Sequence, residues 1–255
     1  MLIITSPSKT QQLNLLEQQL ATQPRLVKQA GQLIDILRTF KPEQLASLMK
    51  TSERLTATTL NAISSFSLEH TTENSGSALA TFRGDVFSSI QVDHYQADQL
   101  SYAQKHVRIL SGLYGVLRPL DLIQPYRLEM GLRLETDSGQ SLYDFWGSQI
   151  TETLNEDLES LADPVLIDCA SAEYKKSILD QQLNASIVKV HFRQIKNGTV
   201  KTIAIHAKKA RGMLIDYCIR NQITTLSGLR TFAESNYELS PESDDQNVIF
   251  TCQLE

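Results

Sequence analysis

Glycines, arginines and aromatic residues are concentrated in one run of the sequence, residues 110–131. Leucine and valine recur there at helical spacing, but Gly112 and Gly115 interrupt the pattern, each at a cost of about 1 kcal/mol in a plain helix. Glycine permits a tight turn whose backbone comes close to a ligand, and the nearby Arg118 and Arg127 favour an anionic one. The run therefore predicts an anion-binding site.

The order of segments around the two glycines is typical of a helix-hairpin-helix. A helical pattern over residues 97–108 precedes them, and an apolar segment ending at Ile123 follows. In such a unit, backbone N–H groups at the hairpin bind a DNA phosphate without reading the bases. We predict a helix-hairpin-helix over about residues 97–123; the alternative is a glycine turn between packed helices.

Carboxylates occur among the basic and aromatic residues, and they could perform acid–base chemistry. The candidates are Asp85, Glu129 and Glu173. Together with phosphate-anchoring Lys and Arg side chains, they would suit an enzyme that acts on a nucleotide or a nucleic-acid end. For residues 127–129 the alternative is a plain ion pair across neighbouring strands.

The loop after the first strand, Ser6–Thr10, places Lys9 among hydroxyl groups. A lysine in this position could hold a phosphate, as the lysine of a P-loop does, but the glycines of a P-loop are missing. The alternative is a polar turn in which Ser6 or Ser8 caps the next helix.

The charge of the chain is unevenly distributed. The whole chain has a formal net charge of −5, whereas residues 171–211 contain nine Lys or Arg and two Asp or Glu, a balance of +7. The remainder therefore carries −12. A basic segment inside an acidic protein predicts a local anion-binding face, although lysines on solvated surfaces would produce the same count.

Cysteine and histidine spacing does not indicate a metal site or a cofactor. Cys169, Cys218 and Cys252 are far apart and are expected to be buried thiols, and the five histidines form no close ligand pair.

No apolar stretch approaches the roughly 18 residues needed to span a membrane, and the first residues lack a charged leader. We therefore expect a cytoplasmic protein without a membrane contact.

Local patterns predict a mixed α and β class, with strands from both ends of the chain in one sheet. The dipeptide Asn197-Gly198 is a strong hairpin signal, and Lys41-Pro42 and Thr51 or Ser52 mark helix starts. Helices are predicted for residues 97–108, 141–158 and 207–220, and strands for residues 2–5, 164–170, 185–194, 200–206 and 247–253.

Six separated runs, in one order, resemble the YaaA family of bacterial peroxide-stress proteins over nearly the full length, from Leu2 to about Val248. The runs that carry the resemblance are Ser6–Thr10, Phe82–Val86, Leu110–Gly131, Leu142–Trp146, Ala170–Tyr174 and Ala207–Gly212. The resemblance implies a single domain over residues 1–255, with a family-specific mixed sheet surrounded by helices, a helix-hairpin-helix and a basic cleft. It also implies a role in limiting peroxide damage by keeping unincorporated iron low.

The resemblance further implies which residues contact DNA. Gly112 and Gly115 would form the hairpin. The basic cleft would be lined by Lys9, Arg83, Arg127, Lys175, Lys208, Lys209 and Arg211. Double-stranded DNA, bound mainly through its phosphates and without strong sequence preference, is the expected partner; a small anionic ligand in the cleft is a further possibility.

Overall fold

The computed structural model describes residues 1–162 and 164–253, and most of the strands in these residues belong to one sheet. The strands are β1 (Leu2–Thr5), β2 (Thr10–Gln11), β3 (Gly76–Ser77), β4 (Phe82–Arg83), β5 (Val107–Ser111), β6 (Gly115–Leu117), β7 (Leu122–Ile123), β8 (Val165–Cys169), β9 (Ser186–Lys196), β10 (Thr199–Lys201), β11 (Tyr237–Leu239) and β12 (Asn247–Gln253).

Helices occupy much of the chain between these strands. They are α1 (Val27–Arg38), α2 (Pro42–Met49), α3 (Glu53–Ser65), α4 (Ala78–Thr81), α5 (Ala97–His106), α6 (Leu142–Trp146), α7 (Gln149–Glu159), α8 (Ala172–Lys175), α9 (Ala204–Arg220) and α10 (Leu226–Leu229). The predicted starts are confirmed: Pro42 opens α2, and the Ser52 hydroxyl accepts the Leu55 N–H at the start of α3.

The main sheet is mixed, and both ends of the chain contribute to it, as the sequence predicts. Its strand order is β11-β12-β9-β8-β1-β5-β6, with β10 paired to β9. The inner strands β12, β9, β8, β1 and β5 run parallel to one another, whereas β6, β10 and β11 are added to them antiparallel. The sheet is therefore an open α/β sheet with antiparallel additions.

The direction of winding reverses next to β1. The chain runs from β1 to β5 on one side and later returns to β8 on the other side of β1. In open sheets of this kind, such a reversal leaves a crevice outside the carboxyl ends of the two strands, and ligands bind there. The carboxyl ends of β1 and β8 are therefore where a site is expected.

The core lies on both faces of the inner strands. β1 is buried at every position, and Trp146, Tyr114, Phe82, Phe232 and Phe250 are among the largest side chains that are fully enclosed. Burying a side chain of this size stabilises the fold by about 2 to 3 kcal/mol. The sheet that positions the crevice is therefore a rigid support.

The predicted helix-hairpin-helix is wrong. Only its first helix exists, as α5; residues 107–111 form β5, parallel to β1, and turn back into β6. Every residue from Val107 to Leu117 is buried. A run that is apolar at nearly every position suits a strand covered on both faces, and its leucines match a helical spacing only by coincidence.

Other predicted bounds differ more modestly from the structure. The helix expected over residues 141–158 is divided into α6 and α7, because Gly147 ends α6 with a φ of +48°. The predicted hairpin is confirmed around Asn197-Gly198, but its second strand ends at Lys201 and α9 begins at Ala204.

Candidate anion-binding cleft

A cleft of about 360 Å³ opens at the carboxyl ends of β1 and β8, where the winding of the sheet reverses. Its walls come from chain segments that are far apart in sequence. They are residues 6–11, 84–87, 126–129 and 169–174, with Lys208 and Arg211 of α9. Its volume is within the range of small-molecule sites, so the cleft can enclose a ligand of about nucleotide size.

Two serines join the strand ends inside the cleft. The Ser6 hydroxyl accepts the Ser171 N–H at 2.8 Å and lies 3.2 Å from the Ser171 hydroxyl. Ser6 thus links β1 to β8 and caps no helix, and Ser8 accepts the N–H of Thr10 within the loop. Ser6 is not among the predicted site residues; the available signal was that it follows directly after the buried strand β1.

Glu129 is shared between two cations in the cleft. Its Oε1 atom lies 3.0 Å from the Lys9 Nζ and 3.0 Å from the Arg127 Nη2. The Lys9 side chain is 65% exposed, whereas those of Arg127 and Glu129 are 18% and 15% exposed. The ion pair anticipated for residues 127–129 therefore exists, but it lies in a loop and includes Lys9 from across the cleft.

The buried glycine turn supports this loop from below. A Cβ atom on Gly112 would lie 2.2 Å from the Leu128 carbonyl oxygen, so only glycine lets the loop approach so closely. The Ser111 hydroxyl lies 2.7 Å from the Tyr126 hydroxyl, and Glu173 accepts the Gly131 N–H at 2.9 Å. These contacts position the guanidinium of Arg127 and the carboxylate of Glu129.

The predicted contact of Gly112 and Gly115 with DNA is therefore corrected: both glycines are buried. Gly115 has a φ of +67°, and a Cβ there would lie 2.9 Å from both Leu26 and Trp146. The Trp146 indole N–H donates to the Gly112 carbonyl at 3.0 Å. The close backbone approach that the glycines permit is to the protein's own core.

Lys208 and Arg211 reach the cleft from the first half of α9. A Cβ on Gly212 would lie 2.0 Å from the Val86 carbonyl, so this glycine lets α9 pack directly on the loop of residues 84–87. Within the described residues, no carboxylate lies within 4.0 Å of the cationic group of Lys208 or Arg211. The buried Nε–H groups of Arg127 and Arg211 also have no acceptor there. A ligand anion could occupy these donors.

The cleft is mixed in charge, in contrast to the expected basic cleft. Its lining includes four cations and three carboxylates, a formal balance of +1. The cations are Lys9, Arg127, Lys208 and Arg211, and the carboxylates are Asp85, Glu129 and Glu173. All three candidate acid–base residues therefore converge with four of the predicted phosphate-binding residues.

Burial keeps the other titratable groups of the cleft protonated. It raises the pKa of the Tyr126 and Tyr174 hydroxyls well above the usual range, and that of the Cys169 thiol to about 12. At neutral pH the tyrosines are hydrogen-bond donors, and Cys169 is an inert thiol. The prediction of buried thiols is confirmed for Cys169, Cys218 and Cys252.

The remaining predicted phosphate-binding residues lie outside the cleft lining. Arg118 is paired with Asp121, at 2.8 Å, and donates to the Gln23 carbonyl. Lys175 is paired with Asp180. Arg83 lies in β4, opposite Thr10 of β2, and Lys209 is exposed on α9. Arg118 and Lys175 are held outside the cleft by their own ion pairs. Arg83 and Lys209 occupy positions on β4 and α9 that do not line the cleft.

The described residues also lack two features that would point to other functions. No group of three or more His, Cys, Asp or Glu side chains is placed to hold a metal ion. No helix in that part of the chain is long and apolar enough to cross a membrane.

The fold and the cleft define a class: an open α/β protein with a mixed-charge, ligand-sized cleft where the winding of its sheet reverses. The family model described as "Peroxide stress protein YaaA" matches residues 1–243. The chain belongs to this family.

Curated relatives match over nearly the whole chain. A UPF0246 protein from Acaryochloris marina is 45% identical over 253 residues, which is 99% of this chain and all of the relative. A UPF0246 protein from Desulfotalea psychrophila is 42% identical over 256 residues, covering 99% of that protein. Another from Pseudoalteromonas translucida is 45% identical over 222 residues and 86% of its length.

Proposed function

We propose that this protein binds DNA in the peroxide-stress response, with one nucleotide unit of the DNA in the cleft. The observation that carries the proposal is the convergence of Lys9, Arg127, Lys208 and Arg211 at the carboxyl ends of β1 and β8. The contacts would go to backbone phosphates, because Lys and Arg at the rim of a crevice bind phosphate without regard to base identity.

Several donor groups of these cations lack a partner, and this favours a phosphate ligand. Lys208 and Arg211 have no ion-pair partner within the described residues, and the Nε–H groups of Arg127 and Arg211 have no acceptor. A phosphate oxygen would satisfy these donors, and the hydroxyl groups of Ser6 and Ser171 would offer neutral hydrogen bonds beside them.

Fluorescence anisotropy with labelled duplex DNA, measured across a salt series, tests the proposal. We expect the affinity to fall by orders of magnitude between about 50 and 200 mM salt if six or more phosphates are bound. The Lys208→Glu/Arg211→Glu variant should lose binding, whereas Lys28→Glu/Lys105→Glu, which changes two exposed lysines outside the cleft, should retain it. Binding that is independent of salt, or unchanged in the first variant, would refute the proposal.

We further propose that the protein acts in the cytoplasm and keeps unincorporated iron low, as the resemblance implies. The family description supports the link to peroxide stress. Electron paramagnetic resonance of chelated iron in cells that lack the gene tests the proposal. Wild-type protein should restore low iron after peroxide treatment, and Lys208→Glu/Arg211→Glu should not. Full restoration by that variant would show that the effect on iron does not depend on these two cations of the cleft.

A second function is favoured by the three carboxylates in the cleft. An enzyme that acts on a nucleotide or nucleic-acid end would use Lys9, Arg127 and Lys208 to hold phosphate, and Asp85, Glu129 or Glu173 as general acid or base. A surface that only binds DNA gains nothing from carboxylates beside the phosphate.

Mass spectrometry of nucleotides and oligonucleotides incubated with the protein distinguishes the two functions. Glu173→Gln is a suitable variant because glutamine keeps an oxygen acceptor for the Gly131 N–H, so the loop stays in place. Turnover by the wild type and none by Glu173→Gln would establish the enzyme. Tight DNA binding with no turnover would leave DNA binding as the function.

A further inference from the structure

A second cationic element stands beside the cleft. It is the hairpin formed by the end of β9, the turn at Asn197-Gly198 and β10, and we call residues 194–201 the arm. Residues 196–202 are all exposed, and a Cβ on Gly198 would meet nothing within 4 Å. The arm therefore projects from the sheet into solvent.

The pairing of β9 shows on which side the arm lies. β12 pairs with β9 along residues 189–195 and therefore occupies one edge of β9. The other edge is shared by β8, which pairs at residues 186–189, and by β10, which pairs at residues 194–196. β8 runs parallel to β9 and ends at Cys169, in the cleft. β10 thus lies beyond the carboxyl end of β8, on the side where the cleft opens.

The segment of sequence that contains the arm has many cations and no Asp or Glu. Residues 181–215 contain seven Lys or Arg and no Asp or Glu. Lys196 and Lys201 of the arm, and Lys208 and Lys209 of α9, are exposed. None of the four has a carboxylate within 4.0 Å in the described part of the chain. A surface of unpaired cations beside the cleft is complementary to a polyanion.

The two lysines of the arm share one face. Lys201 pairs with Gln194 and Thr199 pairs with Lys196, so the alternation of side chains along a strand places Lys196 and Lys201 together. Gln194, on the same face, accepts the Ile203 N–H at 2.7 Å and donates to the Tyr237 hydroxyl at 2.8 Å. Gln194 therefore fastens the base of the arm to the chain that enters α9.

We propose that the arm binds the phosphates of the strand that flanks the nucleotide in the cleft, so that the ligand is a nucleotide within a polymer and not a free one. This inference rests on the proposed function. Lys196 lies seven residues beyond Lys189, the partner of Asp168 at the end of β8. At about 3.3 Å per residue, the arm extends roughly 20 Å past β8, a length equal to about six base pairs.

The test compares two probes: a labelled duplex long enough to span the cleft and the arm, and a nucleoside monophosphate. Lys196→Gln/Lys201→Gln removes the charge of the arm, and Lys28→Gln/Lys105→Gln removes the same charge from two exposed lysines elsewhere. We expect the arm variant to bind the duplex about tenfold more weakly and to reduce the slope of log affinity against log salt by about 2, one for each lost phosphate contact. Its affinity for the monophosphate should not change, and Lys196→Arg/Lys201→Arg should bind the duplex as the wild type does.

The outcomes separate this inference from the proposed function. If the arm variant binds duplex as the control does, while Lys208→Glu/Arg211→Glu binds neither probe, the arm inference is wrong and the cleft remains the site. If the wild type binds the monophosphate but no duplex, the arm inference is wrong and the second function gains support. If the wild type binds neither probe, both proposals fail.

Discussion

Two hairpins of this protein have glycine turns with positive φ, but their surroundings are opposite. In the β5–β6 hairpin, Gly115 has a φ of +67°, and a Cβ there would lie 2.9 Å from Leu26 and Trp146. In the β9–β10 hairpin, Gly198 has a φ of +73°, and a Cβ there would meet nothing within 4 Å. The same turn chemistry is thus used once inside the core and once in solvent.

The difference shows that a glycine turn does not by itself mark a binding hairpin. The turn of the β5–β6 hairpin is packed under the cleft against the Leu128 carbonyl, so what it contributes to the cleft is the position of Arg127 and Glu129. The exposed hairpin has two lysines without ion pairs in the described residues. What flanks the turn, apolar residues or lysines, decides whether the hairpin is packed in the core or exposed to solvent.

The largest effect should come from filling the buried turn. Gly112→Ala would place a Cβ 2.2 Å from a backbone oxygen that cannot move freely, and we expect it to lower the free energy of unfolding by about 3 kcal/mol or more. Gly198→Ala, at the exposed turn, should cost about 1 kcal/mol from positive φ alone. Urea unfolding, followed by the fluorescence of Trp146, measures both. Similar losses in the two variants would remove the distinction between the hairpins.

A pH dependence should also distinguish them. The His70 Nε2 lies 2.9 Å from the Tyr114 hydroxyl in the buried turn, and burial lowers the pKa of His70 below its usual value near 6.5. The unfolded chain therefore binds more protons below that pH, and the free energy of unfolding should fall as the pH drops from about 6.5, by up to about 1.4 kcal/mol per pH unit.

His70→Gln should remove this part of the pH dependence while keeping a hydrogen bond to Tyr114. His106, whose pKa burial also lowers, will leave a residual slope in the same range. The matched control is His206→Gln, an exposed histidine that follows the arm. The measurement is urea unfolding between about pH 5 and about pH 7, the range in which histidines titrate. Equal slopes of stability against pH in the two variants would contradict the expectation.

Two cations of the cleft, Lys9 and Arg127, share the carboxylate of Glu129, whereas the lysines of the arm have no carboxylate within 4.0 Å in the described residues. Glu129→Gln sharpens this contrast. Removing the negative charge leaves Lys9 and Arg127 free for a ligand, so the affinity for a nucleoside monophosphate should rise about fivefold, the effect of roughly 1 kcal/mol at contact distance. Calorimetric titration measures the affinity. Glu242→Gln, which removes the partner of Arg193, is the control and should change nothing. Weaker binding in Glu129→Gln would mean that Glu129 is needed to orient the cations.

The smallest effect is expected on stability in the arm. Lys196→Gln/Lys201→Gln should change the free energy of unfolding by less than about 0.5 kcal/mol, because both side chains are exposed. Urea unfolding of this variant is the measurement. A loss of stability similar to that of Gly112→Ala would show that the arm is part of the core fold, and its binding data could not then be assigned to lost phosphate contacts.

Much of the fold could be predicted from local patterns. The strands predicted at residues 2–5, 164–170 and 247–253, the Asn197-Gly198 turn and the Ser52 cap all follow from neighbouring residues. The structure confirms them, with the second strand at Val165–Cys169. The β5–β6 hairpin could not be predicted in this way, because a run that is apolar at most positions fits a buried helix and a buried strand equally well. Pairing with β1, at the other end of a long stretch of chain, is what made it a strand.

By itself, the sequence determined the mixed α/β class, the resemblance to one family and the excess of cations over residues 171–211, because these properties depend on composition and on residues close together in the chain. Only the tertiary structure decided which charges meet. It brought Lys9, Arg127 and Glu129 into contact, while Arg118 and Lys175 found partners elsewhere. The physical reason is that a site at the reversal of an open sheet is assembled from the ends of strands that are adjacent in the sheet and distant in the chain.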